Sequence, residues 1–466
     1  MNFSEVVYSK LPLPLQNGAV SLYGVYWKWL RFGGNYRFHE KSYSLRNRYT
    51  TDQWAEYQRN KLSELLEICV NNVPYYSREW SQEQKGEALK GDLLALPLLE
   101  KEPLRADPSD FVRTDRSPLL KITTYTSGST GTPIASICTP SEIRDSLAIR
   151  EVRSANWAGV SFKLPRATFS GRMVEPDPES TGPYYRFNAV EKQVYFSPFH
   201  LRPETAHSYI EALKKHKIQW MTGYAVSYYL LAKFILEAGL DVPPLEAIIT
   251  TSEKLTPEMR TAMEKAYRCR VYEEYSTVEN VLFASECEQG RLHVSPDAGI
   301  VEILRPDGSP CDPGEVGEVI ATCLTRSYQP LIRYRLGDLA AWDGEPCPCG
   351  RSMPVIKEVV GRLEDVVVGP DGRQLVRFHG IFTHQPHVIE GQIIQESLNQ
   401  IRVKIVPVEG FSEADKWDIV NRVHQRLGNQ VKVVVELVSS IERTKSGKFK
   451  AVISLLKNDN HHSPYS

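Results

Sequence analysis

The chain has 466 residues, 41% of them apolar and 24% charged, which is enough for more than one domain core and ordinary for a soluble protein. Its net charge of −1 gives the chain as a whole no electrostatic footprint for nucleic acid or for an anionic membrane. Eight cysteines are too few for a disulfide scaffold at this length, so reduced thiols or metal ligands in a cytoplasmic setting are expected.

The N-terminal stretch from Leu11 to Trp27 is uncharged but carries two prolines, two glycines, Gln16 and Asn17. It is too broken for a signal peptide or a membrane span. Trp27, Trp29, Leu30 and Phe32, beside Lys28 and Arg31, are expected to pack onto the body of the protein rather than touch a membrane. Residues 1–120 read as a mostly helical lead-in. Within it, Trp54 to Val70 has apolar residues at helical spacing, and Asn71-Asn72-Val73-Pro74 stops the helix.

From Lys121 the pattern changes. Lys121 to Tyr125 reads as a strand and runs into Thr126-Ser127-Gly128-Ser129-Thr130-Gly131-Thr132-Pro133. Glycines let backbone N–H groups approach an anion, and hydroxyls add donors, so the loop can cradle phosphate; it also reads as a plain surface loop. It lacks the Gly-Lys-Ser/Thr ending of the P-loop NTPases. Glu204 to Lys215 and Val226 to Glu237 read as helices, the second closed by Gly239. Ala247 to Thr251 is a buried strand, Thr256-Pro257 opens a helix as N-cap and first residue, and Arg270 to Tyr272 returns to strand. This alternation predicts an α/β fold with a mostly parallel, helix-covered sheet. Gly290 to Cys323, broken by Pro306-Asp307-Gly308 and Asp312-Pro313-Gly314, predicts an antiparallel β region.

A boundary is expected near Gly361, giving a large domain over 1–361 and a small α+β domain over 362–466. In the small domain Val366 to Val368 and Gln374 to Val376 make a hairpin, followed by a strand (Arg402 to Val406), a helix (Glu413 to Leu427, closed by Gly428) and a strand (Val431 to Val438).

Four further stretches carry chemistry. In Tyr275-Ser276-Thr277-Val278-Glu279 an aromatic precedes a carboxylate at a strand end, which suits a base-stacking platform beside a Mg²⁺ ligand. In Tyr334-Arg335-Leu336-Gly337-Asp338 a strand delivers a carboxylate able to accept both hydroxyls of a ribose. Gly361-Arg362-Leu363-Glu364-Asp365 puts a guanidinium at the expected boundary, and Ser446-Gly447-Lys448 lies in a basic loop after the last strand. Each of these alone also reads as an ordinary solvated loop.

Together, in this order and spacing, the five stretches resemble the motifs of the adenylate-forming superfamily of acyl-coenzyme A synthetases, adenylation domains and luciferases. The resemblance is closest to the phenylacetate–coenzyme A ligase-like branch, including members associated with capsular polysaccharide genes. Val73-Pro74-Tyr75-Tyr76 and Leu96-Pro97-Leu98-Leu99-Glu100-Lys101 add to it.

The resemblance implies that ATP and a small-molecule carboxylate give an acyl-adenylate and pyrophosphate, after which coenzyme A takes the acyl group. Transfer to an amine or hydroxyl acceptor, or a nucleotide-binding scaffold without catalysis, are the other readings. It further implies that Lys448 is the catalytic cation, Glu279 the Mg²⁺ ligand, Asp338 the ribose ligand, Tyr275 the adenine platform, and Thr126 to Thr132 the pyrophosphate loop. Ser276 and Thr277 flank the nucleotide, Arg362 reaches it, and Glu364 is the hinge of a mobile C-terminal domain. Family position points to Gly223 to Ser227, Ser252-Glu253 and Phe196 to His200 for the acyl group, and Ser252 and Glu253 also count among the residues expected to bind cofactor. The chain departs from the motifs at Ser276 (for glycine), Val278 (for a hydroxyl residue), Ile134 (for lysine) and Glu364 (for aspartate).

Cys287, His293, Cys347 and Cys349 form two short clusters that suit a tetrahedral Cys₃His zinc site, and comparable clusters in the same branch favour structural zinc over free thiols.

Overall fold

A computed structural model describes residues 8, 11–126, 134–170, 174–175, 180–362, 367–370, 374–375, 381–382, 385–443 and 449–456. They group into two units: Met1–Glu302 with Ile320–Leu336 and Trp342–Lys357, and Ile303–Val319 with Gly337–Ala341 and Glu358–Ser466.

The first unit opens with helices α1 (Leu13–Phe32), α2 (Tyr36–Arg46), α3 (Thr51–Asn72), α4 (Pro74–Glu79), α5 (Gln82–Lys90) and α6 (Lys101–Ala106). Helix α3 begins with a capping box in which Thr50 and Gln53 satisfy each other's backbone N–H groups, and it ends as expected before Pro74. In α1, Leu30 is buried as expected, but Trp29 is exposed. The expectation that this tryptophan packs onto the body is corrected, because α1 turns its polar side inward.

Strands β1 (Ile122–Tyr125) and β2 (Ala135–Cys138) form a separate antiparallel hairpin, paired Tyr125 to Ala135. The Gly/Ser/Thr stretch joins these two strands in sequence. Helix α7 (Pro140–Ile149) follows behind a Thr139/Glu142 capping box and runs into a π-helical turn over Arg150–Ala155. That turn carries Arg153, whose guanidinium meets the Asp297 carboxylate with both groups fully buried; Arg46 reaches the same carboxylate at 2.6 Å. Burial alone would raise Asp297, but the two guanidiniums hold its carboxyl below the usual range.

The main sheet contains β3 (Arg166–Phe169), β4 (Tyr185–Asn188), β5 (Gln193–Phe196), β6 (Trp220–Tyr224), β7 (Ala247–Thr251), β8 (Arg270–Ser276), β9 (Phe283–Glu286) and β10 (Leu292–Val294). Their spatial order is β10-β9-β8-β7-β6-β3-β5-β4. The run β5-β3-β6-β7-β8 is parallel, as the alternation of strand and helix predicted. Pairing turns antiparallel at β8–β9, so the antiparallel region starts earlier than Gly290. Strands β11 (Gly299–Leu304), β12 (Val316–Cys323), β13 (Tyr334–Trp342) and β14 (Val355–Arg362) are each divided between the units along their length.

Helices α8 (Ala206–Lys215), α9 (Ala225–Ala238) and α10 (Pro257–Tyr267) are the crossovers that parallel strands require. Tyr228 of α9, fully buried, donates to Thr222 O at 2.8 Å and accepts from the Phe169 N–H at 3.2 Å. Its ring packs edge-on against Phe169, which meets Phe196 in a tilted contact. Gly223 lies so close to β3 that an added Cβ would sit 1.9 Å from the Phe169 oxygen, and its φ of +137° belongs to glycine.

In the second unit β15 (Val367–Val368) and β16 (Gln374–Leu375) pair as the expected hairpin. A four-stranded sheet, β19-β18-β17-β20, is built from β17 (Val388–Ser397), β18 (Gln400–Pro407), β19 (Lys432–Leu437) and β20 (Val452–Ser454). Helix α11 (Glu413–Leu427) covers it through Ile419, Val423 and Leu427, which share a core with Ile393, Ile401, Val403 and Ile405. Strands β17 and β20 were absent from the sequence reading; the others match it.

Candidate active site and metal centre

Residues Tyr275, Ser276, Thr277 and Glu279 occupy the end of β8 and the turn before β9. Tyr275 is in ladder register with Ala284, half-buried at the mouth of the antiparallel pair. Thr277 closes the turn: its carbonyl accepts from the Asn280 N–H at 3.1 Å, and Asn280 takes the left-handed conformation at φ +51°. That tight reversal aims Glu279 inward, where it is buried although acidic. The cost is met by Tyr334, the first residue of β13, whose phenol donates to Glu279 Oε1 at 3.1 Å. Sequence reasoning quoted Tyr334 as part of a motif but gave it no role.

Arg150 is a second residue that the sequence did not reveal. It stands at the start of the π-helical turn, donates to Ser276 Oγ at 3.2 Å, and forms an ion pair with Glu274. The serine that replaces a motif glycine is thus an acceptor for a guanidinium. No local pattern marks a residue 126 positions away as its partner.

Asp338 and Arg362 lie in the second unit and pair directly: Arg362 Nε is 2.7 Å from Asp338 Oδ1. Asp338 is buried and follows Gly337 at φ +70°, a conformation that suits glycine. The proposed ribose ligand and the proposed nucleotide cation neutralise each other in this state.

Glu253 accepts from the Val226 N–H at 2.9 Å, placing a carboxylate at the N-terminus of α9, where unpaired N–H groups favour negative charge. Ser252 beside it is exposed, with φ at +70°. Thr126 closes the β1–β2 connection, its N–H donating to Ile134 O at 3.0 Å and its hydroxyl accepting from Ile134 N at 2.9 Å. Ser127, Gly128, Ser129, Thr130, Gly131 and Thr132, together with Glu364 and Lys448, lie outside the described residues.

Of the residues assigned to the acyl group, Phe196 is fully buried against Phe169 and Tyr209, in the core. His200 is buried, hydrogen-bonded to Ser197 at 2.8 Å and stacked on Tyr184.

Cys287, His293, Cys347 and Cys349 bring their ligand atoms within 4.8 Å of one another. Cys287 Sγ and Cys347 Sγ are 3.7 Å apart, and Cys349 Sγ is 3.3 Å from His293 Nε2. A zinc–sulfur bond of about 2.3 Å gives a tetrahedron edge of about 3.8 Å, so the spacing fits zinc. The local chemistry fits as well. Cys287 and Cys347 each begin a turn closed three residues later by a glycine N–H, Gly290 at φ +75° and Gly350 at φ +78°. The Gln289 N–H donates to Cys287 Sγ at 3.3 Å. His293 is held by Met353 O at 3.2 Å from Nδ1, leaving Nε2 toward the sulfurs. Burial holds the His293 imidazole down at about 4, so it is neutral and able to ligate. Trp157 packs edge-on against it and is covered by the Arg351 guanidinium, which pairs with Glu288.

Residues 368–455 match the family description of the CapK C-terminal domain. The protein CapK of Staphylococcus aureus is 25% identical over 97% of this chain and 99% of its own length. A phenylacetate–coenzyme A ligase of Thermus thermophilus is 26% identical over 37% of this chain and 45% of its own length. Among solved structures, 2-hydroxyisobutyryl-CoA ligase bound to 2-HIB-AMP superposes with a TM-score of 0.65 at 20% identity, covering 88% of this chain and 91% of that one. The last of these establishes a shared fold.

Proposed function

We propose, for a chain that belongs to the adenylate-forming superfamily and its phenylacetate–coenzyme A ligase-like branch, the ATP-dependent activation of a small carboxylic acid followed by transfer of the acyl group to coenzyme A. A carboxylate oxygen attacks the α-phosphorus of ATP, the bond to the β-phosphate oxygen breaks, and pyrophosphate leaves. The thiol of coenzyme A then attacks the acyl carbon, loses its proton to solvent, and expels AMP.

One observation carries this reading: the buried Tyr334–Glu279 hydrogen bond joins two motif stretches that share no local sequence. A buried carboxylate in the turn after a strand suits Mg²⁺, which keeps most of its waters and takes one or two carboxylates beside the phosphates. When bound, Mg²⁺ would offset the negative charge of the triphosphate. Tyr334 holds the Glu279 carboxylate in one orientation, and Arg150 fixes the strand end that carries Tyr275. Asp338 accepts the ribose hydroxyls once Arg362 releases it to reach phosphate. Lys448, on a small C-terminal domain over 362–466 that turns about Glu364, supplies the mobile cation of the first step, and removing it exposes the acyl-adenylate to the thiol. The Ser127–Thr132 loop holds the leaving pyrophosphate.

The Cys287/His293/Cys347/Cys349 cluster is read as a structural zinc site that staples two turns, with no open position for chemistry. Eight free thiols support a reducing, cytoplasmic setting.

Carboxylate-dependent exchange of labelled pyrophosphate into ATP tests the first step across a panel of acids. Thioester formation on adding coenzyme A tests the second. Exchange without thioester would point to an amine or hydroxyl acceptor, and no exchange with any acid would overturn the reading.

A further inference from the structure

Helix α1 is folded inside out. A surface helix ordinarily turns its apolar stripe to the core and its polar residues to water. Here the polar and small residues face the protein. Gln16 accepts from Arg186, Asn17 accepts from the Phe187 N–H at 3.0 Å, and Ser21 accepts from the Ala189 N–H at 3.1 Å. Gly24 is buried against Asn188, where a Cβ would lie 2.4 Å from the amide oxygen, and Arg31 pairs with Glu191 at 2.8 Å. These contacts fix the rotation of the helix against β4 and the turn after it.

That rotation sends the apolar face outward. Leu15, Leu22, Tyr26 and Trp29 follow one another at seven, four and three residues, one stripe of an α-helix, and are exposed by 57%, 75%, 39% and 54%. Val25 and Tyr23 flank the stripe and are exposed too. Tyr23, Tyr26, Trp27 and Trp29 form a chain of ring contacts along the helix. Beneath it, Tyr8, Val20, Trp27, Val174 and Tyr195 line an apolar cavity of about 300 Å³.

Charge selects the occupant. Between Glu5 and Glu40 there is no acidic residue, while Lys28 and Arg37 are exposed cations, in a chain whose net charge is −1. Two copies meeting through this face would set cation against cation. An anionic lipid surface complements it: leucine and valine enter the acyl boundary, tyrosine and tryptophan take the headgroup level, and the cations meet phosphates. No helix among the described residues is long and apolar enough to cross a membrane, so α1 would lie in the surface.

We propose that α1 is a membrane-surface anchor that docks the enzyme on an anionic bilayer. The proposal is independent of the reaction assigned above.

Co-sedimentation of the full chain with vesicles tests it, comparing phosphatidylcholine alone with phosphatidylcholine mixed with phosphatidylglycerol. The protein is expected to pellet with the mixed vesicles, less so as salt rises, and weakly with phosphatidylcholine alone. Leu22→Gln/Trp29→Gln should lower the bound fraction by about tenfold with an unchanged melting temperature; Leu15→Gln/Leu22→Gln is the alternative if that pair melts early. Lys28→Gln/Arg37→Gln should abolish the preference for phosphatidylglycerol. Failure of the wild type to pellet, or pelleting insensitive to both apolar pairs, overturns the proposal. So does a dimer by analytical ultracentrifugation that the apolar pairs dissolve without any vesicle binding, which would make the face a contact between copies.

Discussion

The phenol of Tyr334 donates to the carboxylate of Glu279 at 3.1 Å across 55 residues of sequence, and both groups are buried. A carboxylate out of water needs a donor, a cation or a proton, and here a neutral donor leaves its charge available to a metal.

Tyr334→Phe keeps the ring and removes that donor. Hydrogen bonds to charged groups contribute about 1.5–3 kcal/mol, so the Mg²⁺ concentration giving half-maximal pyrophosphate exchange should rise about tenfold or more. Excess Mg²⁺ should restore part of the rate. An unchanged Mg²⁺ dependence would remove Tyr334 from the site.

Lys448→Ala should lower carboxylate-dependent pyrophosphate exchange by about 100-fold or more, the scale seen when a preorganised charge stabiliser is removed. Binding of ATP, measured by calorimetry, should survive, because the lysine acts on the reacting oxygens. Wild-type exchange in this variant would refute the assigned role.

Cys347→Ser and Cys349→Ser should each remove the metal. The purified wild type is expected to carry about one zinc per chain, and the variants well under half of that, by elemental analysis. Their melting temperatures should fall by several degrees, since the ion ties the β9–β10 turn to the Cys347–Gly350 turn. Metal-free wild type with unchanged stability would contradict a structural zinc.

Glu273, in β8, predicts a pH dependence. Burial and the neighbouring Glu286 carboxylate push its carboxyl up to about 7, against the opposing pull of Arg260 and Lys254. A folded value raised above the unfolded one means that stability from this group is complete below about 4.3, the ordinary Glu value, and is lost as pH rises through about 7. Glu273→Gln should therefore melt close to wild type at low pH and above it at pH values beyond neutrality. Parallel melting curves across the range would show that the folded carboxyl titrates normally.

Much of the fold is written in local pattern. Thr50 and Gln53, Thr256 and Pro257, and Gly239 mark helix ends because capping and left-handed backbone are satisfied by residues close in sequence. Strand β17 was not legible for the opposite reason. Gln392 and Gln395 interrupt its apolar alternation, yet both are buried: Gln395 bonds to the backbone of Val368 and Gln392 to the carbonyl of Lys450. Polar residues paired at long range look, in sequence, like residues meant for water. The same reason applies to Trp29 of α1, expected to pack inward but exposed, because the polar residues of the helix have their partners on and beside β4, more than 150 positions away.

The sequence alone determined which residue types stand at the five motif stretches and the two cysteine clusters, because chemistry that depends on a side chain and its immediate backbone is encoded locally. The tertiary structure decided the partners: Tyr334 for Glu279, Arg150 for Ser276, Arg362 for Asp338, and which face of α1 meets water. Those choices are made by burial and long-range hydrogen bonding, which reward contacts that no window of neighbouring residues contains.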